Sequence, residues 1–342
     1  MVQTVQIGTG AKASIVGKVG HGTMMMTWKP TPTPDEEAFA AIKSGIDALP
    51  AGVKMLVASG QFYGQNGSPA NLELLARFFD KYPEYADRVF LSVKGGMKPN
   101  TLEPDVTPEG LRRGVDFILE KLAGKKKLDL FEPARIHRSV PLEEQLKALS
   151  QLVAEGKFDH VGLSECSAKT IRAAVKVAPI GMVEIEVSPW SYEPETKDVI
   201  STCLELNIPI AAYSPLGRGF LTGQVTKPED FEEGDLRRRM TRFKAENMQK
   251  NFALIDALKA IAAKKGITPA QLSIAWVSSR GAHVIPLPGS SHQARTLENL
   301  AADDVVLSKE DLSEIDTVLE KHPVAGGRYV DEAPAHVFCL WG

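Results

Sequence analysis

Tyr63 and Lys94 would together make a proton donor. Tyr63 stands in the polar stretch SGQFYGQN, residues 59–66, and Lys94 ends the apolar run VFLSVK, residues 89–94. A tyrosine is normally too weak an acid to transfer a proton at neutral pH, but a nearby ammonium group lowers the pKa of the phenol. Such a pair suits carbonyl reduction, in which a nicotinamide supplies hydride and the developing alkoxide takes a proton. Taken singly, the tyrosine could be half-buried packing and the lysine a snorkelling residue at a rim.

The elements that would position this pair alternate between short apolar runs and amphipathic segments. The apolar runs predict eight strands, at residues 16–23, 53–58, 89–94, 128–133, 161–164, 183–188, 208–214 and 284–287. The amphipathic segments predict helices that start at residues 33 and 68, and others that cover residues 107–122, 141–155, 168–177, 194–206 and 269–278. This alternation predicts an α/β fold, either a (β/α)8 TIM barrel or a doubly wound open sheet. A single barrel domain would span residues 1–342, with its active site on the loops after the strands, where Tyr63 and Lys94 fall.

Two local motifs mark the ends of elements. The residues TPDE at 33–36 combine a capping box with proline at the first helical position. Near the N-terminus, the segments VQI and ASI flank the turn GTG at residues 8–10, which predicts a β-hairpin that caps the bottom of the barrel. The two glycines of this turn and Ala13 also imitate a GxGxxA dinucleotide loop, but no helix and no acidic residue follow at the required distance. We therefore expect a turn at this place.

Composition favours a globular protein. The 342 residues are 43% hydrophobic and 24% charged, and the net charge of −3 shows no basic excess for nucleic acid. Cys166, Cys203 and Cys339 are widely spaced without a CxxC or Cys/His cluster, so we expect neither a disulfide framework nor a metal site. The N-terminus lacks a signal-peptide apolar core, and no apolar run approaches bilayer length. We expect a cytoplasmic protein that acts on a small molecule and binds no membrane.

Two further segments have open roles. The charged stretch at residues 227–250, which contains RRR at 237–239, lies between a predicted strand and a helix. It could cover the mouth of the barrel or form a solvated insertion. The tail AHVFCLWG, residues 335–342, is apolar and aromatic, so it could close over a pocket or contact a partner.

Six motifs lie at or near the ends of the predicted strands. They are GHGTM at residues 20–24, GQFYG at 60–64, FLSVKGG at 90–96, VGLSE at 161–165, AYSPLGRGFLTG at 212–223 and IPLPGSSHQARTLEN at 285–299. With these motifs the sequence resembles the aldo-keto reductases over nearly its full length, and the last two are the most specific. The run KKKLDLFEPAR at 125–135 is similar to the fungal pyridoxal reductase-like members. The resemblance implies an oxidoreductase in which Tyr63 and Lys94 are catalytic.

The resemblance also implies NADPH or NADP+ bound in an extended conformation across the C-terminal mouth of the barrel. Tyr213 would stack on the nicotinamide, and Ser164 and Glu184 would contact its carboxamide. A carboxylate cannot donate to the carboxamide oxygen, so one hydrogen bond that an amide side chain usually makes is in question. The other implied cofactor residues are Gly22, Thr23 and Met24; then Ser214, Leu216, Gly217 and Arg218 on the pyrophosphate loop; and Gly289, Ser290, Ser291, Arg295, Glu298 and Asn299 in the last motif, around the 2′-phosphate and adenine. Arginine and hydroxyl groups around a phosphate favour NADPH over NADH.

The sequence departs from the family at two catalytic positions. Family reductases add an aspartate and a histidine to the tyrosine and lysine, and the matching residues here are Ala58 and Ala134. The aspartate would hold the lysine beside the phenol, and loss of the histidine as a carbonyl polariser can cost roughly 10²–10³ in rate. Arg135 and His137 could compensate, although Arg135 in a regular strand would face away from Ala134 and pack among helices or pair with an acid.

Several functions stay open at this point. Trp28, Phe62 and Trp190 follow predicted strand ends and could form an aromatic substrate wall, with core packing as the alternative. The leading hypothesis is NADPH-dependent reduction of an aldehyde or ketone, either pyridoxal-like or a fungal secondary-metabolite carbonyl. One alternative is an NADPH-binding regulatory protein with little turnover. Another is a nicotinamide-site enzyme diverted to isomerisation, dehydration or alkene reduction.

Overall fold

Parallel strands in sequential order form the body of the protein. The computed structural model describes residues 2–99, 101, 103–330 and 340–342. The strands are β1 (Thr4–Ile7), β2 (Ser14–Gly17), β3 (His21–Gly22), β4 (Met55–Gly60), β5 (Val89–Gly95), β6 (Leu130–Pro133), β7 (His160–Ser164), β8 (Ile180–Glu186), β9 (Ile210–Tyr213) and β10 (Val284–Leu287). Strands β3 to β10 build one eight-stranded sheet in which each strand neighbours the next in the chain. Sequential parallel strands place all their carboxyl ends at one end of the sheet.

Hydrogen bonds between the first and last strand regions close this sheet. Gly22 forms a parallel bridge with Gly289. The Gly20 N–H donates to the Pro286 carbonyl at 2.9 Å, and the Gly22 N–H donates to the Pro288 carbonyl at 3.0 Å. A doubly wound sheet would leave both edges open, so these bonds exclude that alternative and confirm the predicted (β/α)8 barrel.

Helices follow the strands as predicted. They are α1 (Met24–Thr27), α2 (Asp35–Asp47), α3 (Ala70–Lys81), α4 (Pro108–Leu122), α5 (Leu142–Ala154), α6 (Ala168–Ala174), α7 (Pro194–Glu205), α8 (Ala245–Lys265), α9 (Pro269–Ser278), α10 (Gln293–Leu300) and α11 (Lys309–Lys321). Helix α4 shows the local cause: the Thr107 hydroxyl accepts a hydrogen bond from the Gly110 N–H at 3.0 Å and caps the first turn. Its apolar residues at helical spacing, from Leu111 to Leu122, are buried.

Two boundary predictions are wrong. The predicted strand at residues 16–23 is two elements, because Val16 pairs with Val5 in the hairpin and β3 contains only His21 and Gly22. The capping box at residues 33–36 does not form either. Helix α2 begins at Asp35, so Thr33 stands one residue before the N-cap position, and its N–H donates to the Met26 carbonyl at 2.8 Å instead.

The N-terminal hairpin caps the barrel as predicted. Strands β1 and β2 are antiparallel, and their residues Val5, Ile7 and Val16 share a buried cluster with Leu56 and Phe90 of the barrel. Both glycines of the connecting turn have positive φ, at 74° and 66°, which glycine adopts without steric cost. This stretch is therefore a hairpin turn: only one 3-10 turn, Gly10–Lys12, precedes β2, where a dinucleotide loop would require an α-helix.

The charged stretch at residues 227–250 packs on the barrel. It contains short 3-10 turns followed by α8, which begins inside it at Ala245. Phe231, Met240 and Phe243 are buried. Arg237 donates to the Arg218 carbonyl at 3.1 Å, which ties the stretch to the loop after β9. The interpretation of a solvated insertion therefore fits only its exposed residues.

Two sequence expectations concern absences. In the part of the chain that the structure describes, no helix combines the length and the apolar character needed to cross a bilayer. Among those same residues, no His, Cys, Asp and Glu side chains gather in a group that could hold a metal ion. Cys166 and Cys203 are buried free thiols. Cys339 and the tail residues 335–339 lie outside the described residues.

Candidate active site

The C-terminal ends of β4 and β5 bring Tyr63 and Lys94 together. Gly60 and Lys94 pair in register at the ends of these strands, and the Tyr63 N–H donates back to the Gly60 carbonyl at 3.2 Å. A side chain at Gly60 would begin 2.7 Å from the Tyr63 ring, so its absence lets the ring fold back over the strand end. The Lys94 Nζ lies 5.8 Å from the centroid of that ring. Both side chains are buried.

Two glutamates hold Lys94. Its Nζ lies 2.5 Å from the Glu184 Oε1 and 3.4 Å from the Glu132 Oε1. Glu132 is the neighbour of Lys94 in the register of β5 and β6, and Glu184 comes from β8. Glu132 was not predicted from the sequence. An acid inside the apolar strand LFEP could have revealed it, because a buried carboxyl group needs a cationic partner.

The pKa of Tyr63 is raised, contrary to the expectation that Lys94 would lower it overall. Burial is the largest cause, the charge of Lys94 acts in the opposite direction, and Glu184 and Glu132 raise the pKa further. For Lys94, burial acts to lower the pKa, but the charges of Glu184, Tyr63 and Glu132 raise it above the ordinary value. At neutral pH the pair is therefore a neutral phenol beside an ammonium group.

The two departures from the family, Ala58 and Ala134, are both buried, at 3% and 1% exposure. The Ala58 carbonyl accepts hydrogen bonds from the Thr23 N–H at 3.1 Å and from its hydroxyl at 2.8 Å. The Thr23 hydroxyl also lies 2.6 Å from Asn71 Oδ1, so it has partners within the protein. Lys94 thus takes its acidic partners from β6 and β8, since β4 offers none.

An aromatic wall stands beside Tyr63. The ring centroid of Trp28 lies 5.8 Å from that of Phe62 and 5.7 Å from that of Tyr63. Ala134 belongs to the same buried cluster, against which Met24 also packs. Met24, for which the resemblance implies a cofactor contact, thus packs against the wall. The cluster offers a flat apolar surface next to the phenol.

Trp190, expected in the same wall, lies elsewhere. Its ring stacks on Phe220 with centroids 4.8 Å apart and meets Phe243 edge-on at 5.6 Å. Trp190 is 3% exposed and packs under the loop after β9. The alternative of core packing is therefore correct for this residue, because the apolar loop residues cover its faces.

His137 and Arg135, the two residues that could compensate for the missing histidine, are both engaged in other contacts. The His137 Nδ1 lies 2.6 Å from the Ser139 hydroxyl and accepts from the Ser139 N–H at 3.2 Å, so this ring organises its own turn. Strand β6 ends at Pro133, and Arg135 is therefore free of the strand alternation that predicted it among helices. Its guanidinium donates to the Ala134 carbonyl at 2.5 Å and to the Tyr329 hydroxyl at 3.4 Å, at the mouth of the barrel.

The buried polar atoms without a hydrogen-bond partner among the described residues include both carboxyl oxygens of Glu132 beside Lys94, and also the Ser164 Oγ and the Glu184 Oε2. Ser164 and Glu184 are register neighbours on β7 and β8. A hydroxyl can donate to an amide oxygen, and a carboxylate oxygen can accept from an amide NH2. The pair therefore fits the carboxamide of a nicotinamide, and Ser164 can supply the donor that Glu184 lacks.

A group of charged and phenolic side chains, which we call the mouth cluster, surrounds Tyr213. The Tyr213 hydroxyl donates to the Glu165 Oε1 at 2.8 Å, and Arg328 donates to the same oxygen at 2.9 Å and to the Tyr213 hydroxyl at 3.1 Å. Glu186 accepts from Arg328 at 3.1 Å and from Arg218 at 3.2 Å. The cluster fixes the plane of the Tyr213 ring, which the resemblance expects to stack on the nicotinamide.

Arg328 and Glu186 were not predicted from the sequence. Arg328 lies far from every strand along the sequence, so the rule that sites form at strand ends does not predict it. Glu186 ends the strand IGMVEIE and could have been found as a buried acid. Glu165 has a positive φ of 51°, an uncommon conformation for a residue with a side chain. Such conformations concentrate at functional sites, where the surrounding contacts maintain them.

The predicted pyrophosphate loop has a left-handed backbone. Ser214, Gly217 and Arg218 have φ values of 53°, 54° and 57°. A Cβ at Gly217 would lie 2.9 Å from the Trp190 indole nitrogen, so packing as well as conformation requires glycine there. Leu216, the N-cap residue of this turn, packs against a separate small apolar cluster.

The predicted adenosine site lies at the start of α10. The Ser290 hydroxyl donates to the His292 carbonyl at 3.0 Å and accepts from the His292 N–H at 3.2 Å, so it shapes the turn before the helix. Arg295 is exposed, and no described residue forms an ion pair with it. Ser291 and Glu298 are half-buried and Asn299 is buried, with Gly22 and Gly289 adjacent across the barrel seam. An exposed arginine near a helix start suits a phosphate.

Comparison with known proteins places these observations in a family. A family model described as "Aldo/keto reductase family" matches residues 18–320. The chain is 41% identical to "Probable pyridoxal reductase 2" of Schizosaccharomyces pombe (strain 972 / ATCC 24843), over 92% of this chain and 95% of that protein. It is 38% identical to "Aldo-keto reductase yakc [NADP(+)]" of the same organism, over 80% of this chain and 81% of that protein.

Solved structures share the fold. A glycerol dehydrogenase from Gluconobacter oxydans superposes with a TM-score of 0.79 at 22% identity, over 94% of this chain and 96% of that one. An aldo/keto reductase from Klebsiella pneumoniae, solved with NADP and acetate, superposes with a TM-score of 0.68 at 24% identity, over 97% of this chain and 100% of that one. At these identities the likeness concerns the barrel alone.

Proposed function

The chain belongs to the aldo/keto reductase family, and from this premise we propose that it uses NADPH to reduce an aldehyde or ketone at the mouth of its barrel. The observation that carries the proposal is the buried pair of Tyr63 and Lys94 beside the aromatic wall. A phenol that burial keeps protonated at neutral pH can donate its proton to an alkoxide as that charge develops.

Each requirement of the reaction has a residue to meet it. The Tyr63 hydroxyl donates a hydrogen bond to the substrate oxygen and then its proton. The ammonium group of Lys94 stabilises the phenolate that remains on Tyr63. When bound, NADPH supplies the hydride that attacks the carbonyl carbon. Because Ala134 stands where a polarising histidine is usual, we expect chemistry slower than in reductases that retain it, by roughly 10²–10³.

Residues at the mouth would orient the cofactor. The unpartnered Ser164 Oγ and Glu184 Oε2 would hold the carboxamide, and the mouth cluster would keep the Tyr213 ring in place to stack on the nicotinamide. Arg295 would bind the 2′-phosphate. The name of the yakc relative includes NADP(+), which agrees with this choice of cofactor.

The substrate we propose is pyridoxal-like or a fungal secondary-metabolite carbonyl. Trp28 and Phe62 present flat apolar faces next to the Tyr63 phenol, which suits a planar ring that carries a carbonyl group. The name of the 41% identical relative, a probable pyridoxal reductase, points to the same class.

The test follows the loss of reduced-nicotinamide absorbance with NADPH and a panel of carbonyl compounds that includes pyridoxal. We expect turnover by the wild-type protein, and a loss of at least about 100-fold in kcat for Tyr63→Phe with NADPH binding retained. Equal turnover by Tyr63→Phe would refute the role of the phenol. Saturable NADPH binding without turnover of any compound would favour the regulatory alternative, and a product without a new alcohol would favour the diverted chemistries.

A further inference from the structure

Lys94 takes its acidic partners from strands β6 and β8. Resting on the proposed function, we propose that Glu184 and Glu132 are positioning residues that replace the aspartate absent at Ala58. Their two carboxyl groups share one proton, carry a single negative charge, and together hold the Lys94 ammonium beside Tyr63.

Counting the buried charges gives the protonation state. The Lys94 ammonium is the cation within 4 Å of both carboxyl groups, and the three side chains are between 0% and 8% exposed. Two ionised carboxylates would leave one negative charge uncompensated in a site that excludes water, which is strongly unfavourable. One carboxyl group therefore keeps its proton. Burial first, and then the charge of Glu184, raise the pKa of Glu132 well above its usual range, so Glu132 is the protonated member.

The barrel makes room for this pair. Strand β7, between β6 and β8, has Gly162 next to Glu132. A Cβ at Gly162 would lie 3.0 Å from the Glu132 Cβ and 3.1 Å from its Oε2. The missing side chain leaves space for the Glu132 carboxyl group inside the barrel. The Glu184 Oε1 contacts Lys94, which leaves its Oε2 for the proposed cofactor contact.

A purely structural ion pair would show the same distances, so the test measures the phenol itself. The phenol of Tyr63 is titrated in the cofactor-free protein by ultraviolet absorbance. Subtracting the spectrum of the same variant with Tyr63→Phe added isolates the absorbance of the Tyr63 phenolate. In Glu184→Gln only the Glu132 carboxyl group remains beside the ammonium group, so it loses its proton and the site keeps its single negative charge. We expect the apparent pKa of Tyr63 to stay within about 0.3 pH unit of the wild-type value.

Glu132→Gln and Glu186→Gln provide the matched controls. Glutamine copies a protonated Glu132 in size and charge, so the apparent pKa of Tyr63 should stay within about 0.3 pH unit of the wild-type value. Glu186 lies two residues after Glu184 on β8 but pairs with Arg218 and Arg328, so its loss should also shift Tyr63 little. Loss of both carboxyl groups in Glu132→Gln/Glu184→Gln leaves the Lys94 charge unbalanced, so in that variant the apparent pKa of Tyr63 should fall by about one to two pH units. A fall of that size in either single variant would show two charges and overturn the shared proton.

If the two glutamates replace the aspartate that is absent at Ala58, an aspartate restored there should compensate for their loss. Ala58 faces the barrel interior, in the same buried cluster as Leu56 and Phe90. Glu132→Gln/Glu184→Gln should lower kcat by about 10–100-fold, and adding Ala58→Asp to it should restore at least about tenfold. Ala58→Asp alone adds a third acid to one ammonium group, so it should lower the melting temperature and not raise kcat. A higher kcat in Ala58→Asp alone, or no rescue in the triple variant, would overturn the replacement.

A second spectrum keeps the proposal testable if Glu132→Gln/Glu184→Gln does not fold. The infrared spectrum of the wild-type protein at neutral pH should contain a protonated-carboxyl band that Glu132→Gln lacks; identical spectra would overturn the shared proton. These titrations need no substrate, so they report on the glutamates even if no carbonyl compound is turned over. Failure of the proposed reaction is thereby separated from failure of the glutamate pair.

Discussion

Gly60 determines where the phenol of Tyr63 lies. Because a Cβ at this position would begin 2.7 Å from the ring, we expect Gly60→Ala to displace Tyr63 from the substrate oxygen and to lower kcat by about 10–100-fold. The affinity for NADPH should change less than about twofold, since none of the proposed cofactor contacts involves Gly60. Steady-state kinetics and NADPH titration of the purified variant measure both values. A normal kcat would mean that the ring position does not depend on this glycine.

The sequence predicted the functional side chains that lie at strand ends, but it did not predict the side chains that bind and position them. Tyr63 and Lys94 were found because parallel strands deliver their carboxyl ends to one place. Glu132 was hidden inside an apolar strand, and Arg328 reaches the mouth cluster from outside the strand and helix pattern. Such partners depend on which strands become neighbours around the barrel, and a single sequence does not state their distances.

The starts of two helices, α4 and α2, allow a test of the assigned N-caps. Thr107 caps α4 through its hydroxyl, whereas the Thr33 hydroxyl is buried without a partner among the described residues. Valine has the shape of threonine without the hydroxyl, so Thr107→Val should lower the free energy of unfolding by about 1 kcal/mol. Thr33→Val should change it by less than about 0.5 kcal/mol, because no cap is lost. Urea denaturation of both variants decides; equal losses would contradict the assigned caps.

Element type was predictable and element boundaries were less so. The apolar face of α4 repeats at helical spacing and predicts its whole length. The residues 16–23 form one run that the sequence predicts as a single strand, yet the chain divides them between the hairpin and the barrel. That division is set by which neighbour each residue pairs with, Val5 for Val16 and Gly289 for Gly22, and both partners lie outside the run.

Acid stability is a property of the whole molecule that the mouth cluster should influence. Burial acts to raise the pKa of Glu186, but Arg218, Arg328 and Arg242 lower it to about 2. A folded-state pKa below the unfolded value stabilises the protein at neutral pH, and this stabilisation is lost as the pH falls from about 4.5 towards 2. Glu186→Gln should therefore cost about 3 kcal/mol at pH 7 and almost nothing near pH 2. Denaturant unfolding across this range measures the difference; a cost independent of pH would exclude the assigned linkage.

The architecture of the molecule was the most predictable property. Eight alternating strand and helix signals leave few arrangements of the chain, and short connections favour sequential parallel neighbours. Closure itself had to be seen in the structure, because an open and a closed sheet have the same alternation. The bridge between Gly22 and Gly289 decides between them.

That bridge also governs how the protein can be made. A ribosome must synthesise residue 289 before the seam with residue 22 can form. Until then the nascent chain has at most an unclosed sheet, whose interior apolar cluster lacks Ile285 and Leu287 of the last strand. Contacts between such distant positions slow folding, and exposed apolar surface attracts chaperones and promotes aggregation. The barrel therefore completes its folding late in translation, and a chain that stops before the last strand exposes a strand edge that normally finds its partner within the same molecule.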